Sequence, residues 1–114
     1  MSLVAIVASD LIIATRIADA ARSAGHEAVR VDDPAGLPTS DSTAVAFVDW
    51  SIRGPGWGES LVAWRSRAAK PPRLVVFGPH VDVEAHHAAR SAGIGPMLAR
   101  SKLITALPDL LPEP

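Results

Sequence analysis

Leu3-Val4-Ala5-Ile6-Val7-Ala8 is an unbroken apolar run rich in β-branched residues, and Ala44 to Val48 and Leu74 to Phe77 repeat the pattern. A strand with one wet face alternates apolar and polar residues, whereas a strand covered on both faces does not. Runs of this kind need helices above and below, and the sequence between them supplies helices. After the first run Ser9 or Asp10 can cap a helix. In that helix Ile13, Ile17, Ala20, Ala21 and Ala24 share one side, while Arg16, Asp19, Arg22 and Ser23 share the other. Gly25 is its stop.

The alternation continues to the end of the chain. Ala28 to Val31 reads as a brief second strand, and residues 32–43, with two prolines and a glycine, as a loop or at most one helical turn. The third strand ends at Asp49. A turn, Gly54-Pro55-Gly56-Trp57-Gly58, leads into a helix over Glu59 to Ala69 with Leu61, Val62 and Trp64 inward, ended by Pro71-Pro72. The fourth strand closes at Gly78-Pro79. A helix over 82–92, stopped by Gly93, precedes a short fifth strand, Met97-Leu98-Ala99. Ser101 caps a last helix to about Leu111, which Pro108 can shorten or kink. Short connections between alternating elements imply right-handed crossovers and a parallel sheet covered on both faces. The expected fold is a flavodoxin-like three-layer α/β/α sandwich over residues 1–114, strand order 2-1-3-4-5, with the second helix short or missing. Any site belongs at the carboxyl ends of strands 1, 3 and 4, beside the switch point.

Composition removes several classes of function. The chain has 114 residues and no cysteine, which excludes disulfides, zinc-thiolate sites, iron–sulfur clusters and a thiol nucleophile. Eleven basic and twelve acidic residues give a net charge of -1, against the basic stripe that nucleic acid requires. The first apolar run is far too short to span a membrane and has no basic segment before it. The expectation is a cytoplasmic protein with no nucleic-acid or membrane partner.

The register of these elements resembles that of the receiver domain of two-component response regulators, over roughly Leu3 to Leu111. The residues that carry the resemblance are Val4 to Val7 through Ser23-Ala24-Gly25, Phe47-Val48-Asp49-Trp50-Ser51 with the glycine-rich turn after it, and Gly78 through Gly93 to Arg100. The resemblance implies phosphoryl transfer from a phospho-histidine partner onto one aspartate. That reaction needs a carboxylate nucleophile, Mg²⁺ and neutralisation of the transferring oxygens. Asp49 stands at the acceptor position. The acidic pair that holds metal in the family falls on Ala8 and Ser9, with Asp10 one residue late and suited to capping. The hydroxyl position is Gly78, the lysine position Arg100, and the aromatic switch position Met97. One carboxylate makes a poor Mg²⁺ site. The resemblance is therefore to an atypical, or pseudo-, receiver with no cofactor, in which Asp49 pairs with Arg100 or caps nearby amides.

Other constellations have plainer readings. His80, His86 and His87 lie near Asp82 and Glu84, but adjacent histidines on a helix diverge by about 100°, so only one could share a metal with His80. The Gly54–Gly58 turn lacks the lysine and hydroxyl of a phosphate-binding loop; it reads as a tight reversal that can bring Trp57 over the site. Trp50 reads as packed behind a strand end, and Trp64 as core.

The expected function is a signalling module that is not an enzyme and acts by protein–protein contact. The resemblance places output on the face of the helix after the fourth strand, the fifth strand and the last helix. Glu84, His87, Arg90, Met97, Arg100 and Lys102 lie in that segment, for a homodimer or a partner protein. Two alternatives stand beside it. One is a phosphorylatable receiver using Asp49, with Arg100 as counter-charge and Mg²⁺ held by Asp49, backbone carbonyls and water. The other is a small-ligand sensor in the crevice between Ala8, Asp49 and Gly78, where small side chains leave room.

Overall fold

The computed structural model describes residues 2–113. Strands β1 (Leu3–Val7), β2 (Glu27–Val31), β3 (Thr43–Asp49), β4 (Arg73–Gly78) and β5 (Leu98–Ala99) form one parallel sheet in the order β2-β1-β3-β4-β5. Among the described residues four α-helices flank it: α1 (Leu11–Ser23), α2 (Trp57–Ser66), α3 (Val83–Ser91) and α4 (Arg100–Leu110). This is the expected flavodoxin-like order. No helix among the described residues is long and apolar enough to cross a membrane.

The uninterrupted apolar strands are explained by two cores, one on each sheet face. Successive strand residues point to opposite sides. Val4, Ile6, Val45, Phe47, Val75 and Phe77 pack with Ile13 and Ile17 of α1 and Leu103 and Leu107 of α4. Val7, Val48 and Val76 pack on the other side with Leu61 of α2 and Ala85 and Ala89 of α3. At the sheet centre Ala5 and Ala46 are too small to fill their face, and the Trp64 indole packs against both. Its Nε1 donates to the Pro38 carbonyl at 2.8 Å, which satisfies the one polar atom of that side chain.

Between β2 and β3 the chain makes two 3-10 turns, Pro34–Gly36 and Ser40–Ser42, in place of a helix. Asp33 caps the first by accepting from the Ala35 amide at 2.8 Å. Gly25 and Gly93 end α1 and α3 at φ of +88° and +78°, a conformation in which a side chain would be strained.

Three local expectations are corrected. α2 starts at Trp57, not Glu59, and ends at Ser66, not Ala69. Trp57 therefore sets its phase: Trp57, Leu61 and Trp64 face inward, and Val62 is 41% exposed rather than buried. The cap of α4 is Ala99, without a side-chain hydrogen bond, and Ser101 lies exposed in the first turn. Pro108 falls in the last turn of α4 and neither ends nor shortens it, since Leu111 N still reaches the Leu107 carbonyl at 3.1 Å.

Candidate functional site

Asp49 is the last residue of β3 and is completely buried. It shares a strand face with Val45 and Phe47, which directs it to the α1–α4 layer. A buried carboxylate needs donors, and it has three. Oδ1 accepts from the Ser51 amide at 3.0 Å and from Ser51 Oγ at 2.6 Å, which makes Asp49 the cap of a 3-10 turn over Trp50–Ile52. Oδ2 accepts from Arg100 Nη2 at 3.4 Å.

Arg100, the first residue of α4, gathers the rest of the site. Its Nη2 also donates to Ser51 Oγ at 3.3 Å, and its Nη1 stands 4.0 Å from Asp10 Oδ2. Asp10 in turn caps α1, with Oδ1 accepting from the Ile12 amide at 3.0 Å. One guanidinium thus ties the start of α1, the end of β3 and the start of α4. Its Nε is buried without a hydrogen-bond partner.

The residues present do not fit a resident Mg²⁺, which takes near-octahedral oxygen ligands. Ala8 is fully buried among Ile13 and Phe47, and its carbonyl accepts from Arg30 Nη1 at 3.0 Å. Ser9 is exposed and carries no charge. Both Asp49 oxygens are engaged, and a guanidinium already stands between the Asp10 and Asp49 carboxylates. A divalent ion would have to displace it.

Gly78 and Met97 form a complementary pair. A Cβ at Gly78 would stand 2.9 Å from Met97 Sδ, so a hydroxyl-bearing residue there requires Met97 to move. Met97 is only 4% exposed and packs in the α2–α3 core, which corrects its assignment to an interaction face. The room expected at Gly78 is taken by its sulfur. Glu84, His87 and Arg90 of α3 and Lys102 of α4 are exposed.

The aromatic residues stay away from Asp49. Trp57, expected over the site, packs instead with Trp50, Leu61 and Ala89 in the α2–α3 core. Trp50 is buried behind the strand end, and its Nε1 donates to the Ala85 carbonyl at 3.1 Å. His86 Nε2 and the His80 carbonyl lie 3.0 Å apart, and the described residues hold no group of three or more side chains placed to share a metal. A groove of about 980 Å³ lies between α2 and α3 and is lined by Trp50, Arg53, Trp57, Val62 and Ala92 among others. It is away from the Asp49 chemistry.

Ser51 and Asp10 lie at the strand ends where the sequence places a site, but the sequence reading gives neither a role in it. Ser51 follows Asp49 by two residues, the spacing of a side-chain cap on a following amide, which is a readable signal. Asp10 was assigned to capping alone, and its approach to Arg100 depends on how α1 and α4 pack, which no local pattern encodes.

No protein-family model matches the sequence, and no curated protein matches it. Solved structures do. A response regulator receiver protein from Burkholderia phymatum superposes with a TM-score of 0.63 at 16% identity, covering 100% of this chain and 99% of that one. A response regulator receiver domain protein from Clostridium thermocellum gives 0.65 at 14% identity, covering 97% and 94%. The Rec1 domain of ShkA, solved in complex with c-di-GMP, gives 0.56 at 24% identity, covering 93% and 89%. The fold of this chain is that of response-regulator receiver domains.

Proposed function

We propose that the chain is an atypical receiver-like signalling module that acts by binding protein partners and does not undergo Mg²⁺-dependent phosphorylation of Asp49. The observation that carries this reading is the state of Asp49: buried, with Oδ1 held by Ser51 and Oδ2 by Arg100. An attacking carboxylate needs a free oxygen in line with the phosphorus and a cation on the developing charge. Here the acidic pair is replaced by Ala8 and Ser9 and the cation is a fixed guanidinium. The exposed Glu84, His87, Arg90 and Lys102 leave a polar face on α3 and α4 for a partner or a second copy, with a footprint of roughly 800 Å² per side. The test is intact-mass spectrometry after incubation with acetyl phosphate and Mg²⁺. The expected result is no hydroxylamine-labile phosphoryl group. A labile, metal-dependent gain that disappears in Asp49→Asn would make the chain a phosphorylatable receiver instead.

A second reading, a small-ligand sensor, is favoured by two observations. One structural neighbour is a complex with c-di-GMP. The α2–α3 groove of this chain also carries the Arg53 guanidinium, held 5.3 Å from the centroid of the buried Trp50 ring, a cation placed to meet a phosphodiester. On this reading c-di-GMP raises the unfolding midpoint of the wild type by mass action and leaves Arg53→Ala unmoved. An unmoved wild type removes the reading for that ligand.

A further inference from the structure

We propose that Ser51 is a phosphoryl-acceptor residue that takes the group from an acyl-phosphate donor without a divalent cation; this rests on the reading that Asp49 is not itself the acceptor. A hydroxyl becomes a nucleophile when a base within hydrogen-bond reach can take its proton and a third group holds that base in place. Ser51 meets these conditions. Its Oγ donates to Asp49 Oδ1 at 2.6 Å, and Arg100 fixes the other Asp49 oxygen at 3.4 Å. The base is completely buried while Ser51 is exposed, so a donor can reach the hydroxyl but not the carboxylate.

The same arrangement supplies the charge. Arg100 Nη2 lies 3.3 Å from Ser51 Oγ, on the atom where the phosphoryl group would be added. The Arg100 Nε–H is buried with no acceptor, an unusual state for a charged donor, and a phosphoryl oxygen would satisfy it. In the step itself the Ser51 Oγ–P bond forms as the donor's P–O anhydride bond breaks. The hydroxyl proton passes to Asp49 Oδ1, and the donor's carboxylate leaves with the bonding pair. Asp49 then returns the proton to water. A positioned base of this kind contributes about 10²–10⁴-fold.

The experiment uses acetyl phosphate with the whole chain, in EDTA and in Mg²⁺, read by intact mass before and after hydroxylamine. The wild type is expected to gain one phosphoryl group in EDTA, and to keep it through hydroxylamine as a phosphoserine does. Ser51→Ala retains the backbone amide that caps Asp49, so it is expected to fold and to gain nothing. Ser51→Thr is expected to be modified. Asp49→Asn is expected to react at least about 100-fold more slowly. No gain in a folded wild type overturns the proposal, showing that the hydroxyl only satisfies the carboxylate, and leaves the preceding reading in place. A gain that persists in Ser51→Ala also overturns it. A hydroxylamine-labile gain lost in Asp49→Asn overturns both.

Discussion

Phe47→Ala is expected to lower stability by about 4 kcal/mol, a fall in the unfolding midpoint of about 15 °C for a chain of this size. Phe47 lies in the middle of the central strand β3, paired with Ile6 on one side and Val75 on the other. It is fully buried, in the cluster that joins the sheet to Ile13 and Ile17 of α1 and to Leu103 of α4. Removing the ring forfeits its transfer free energy and leaves a cavity among the side chains of Ile6, Ile13, Ile17, Val75 and Leu103, carried on the sheet, α1 and α4. Those side chains cannot close in without shifting elements that position Asp49 two residues later. Val62→Ala is the control. It shortens a side chain that is 41% exposed, and a change within about 0.5 kcal/mol is expected. Chemical or thermal unfolding of the three proteins checks both values. A loss below about 1 kcal/mol for Phe47→Ala would mean that α1 and α4 are not packed on this face of the sheet.

The same two-faced burial explains why the fold was legible. Val4 through Val7 read as a strand covered on both sides because every one of their side chains enters a core. Asp33-Pro34 and Gly36 mark the connection between β2 and β3 as a loop or at most one helical turn, since they cap and break at short intervals. What misled was phase. Starting α2 at Glu59 turned Val62 inward, because the side chain that orients the helix, Trp57, lies two residues earlier. Met97 misled for a different reason. Its place beside Gly78 is a matching of volumes between β4 and the segment before β5, and neither residue announces the other in the sequence. At the site, Asp49 is legible at the end of the third strand, and Arg100 only through the resemblance, at the family's lysine position. Ser51 joins Asp49 locally, two residues on, whereas its bond from Arg100 and the 4.0 Å Asp10–Arg100 ion pair exist only once α1, β3 and α4 meet.

Arg100→Met is expected to cost about 2 kcal/mol, and adding Asp49→Asn to it is expected to recover part of that loss. The single substitution leaves a carboxylate with 1% of its side chain exposed and no counter-charge. Uncompensated buried charge is among the costliest defects a single change can introduce. Two features hold the cost below the range of about 3–5 kcal/mol usual for a broken buried pair. Ser51 still donates twice to Oδ1, and Arg100 is itself 42% exposed, so water already screens part of the pair. Asparagine at 49 keeps an oxygen for the Ser51 donors and removes the charge, which in the absence of the guanidinium is the greater liability. In the wild-type background the same Asp49→Asn change removes one partner of a formed ion pair and is expected to destabilise. The sign of its effect therefore reverses with the residue at 100, and a double-mutant cycle by denaturant unfolding measures that reversal directly. Equal costs for Asp49→Asn in both backgrounds would mean that the guanidinium does not compensate the carboxylate. The Asp49–Arg100 pair would then no longer account for an acceptor held out of reach of a phosphoryl donor.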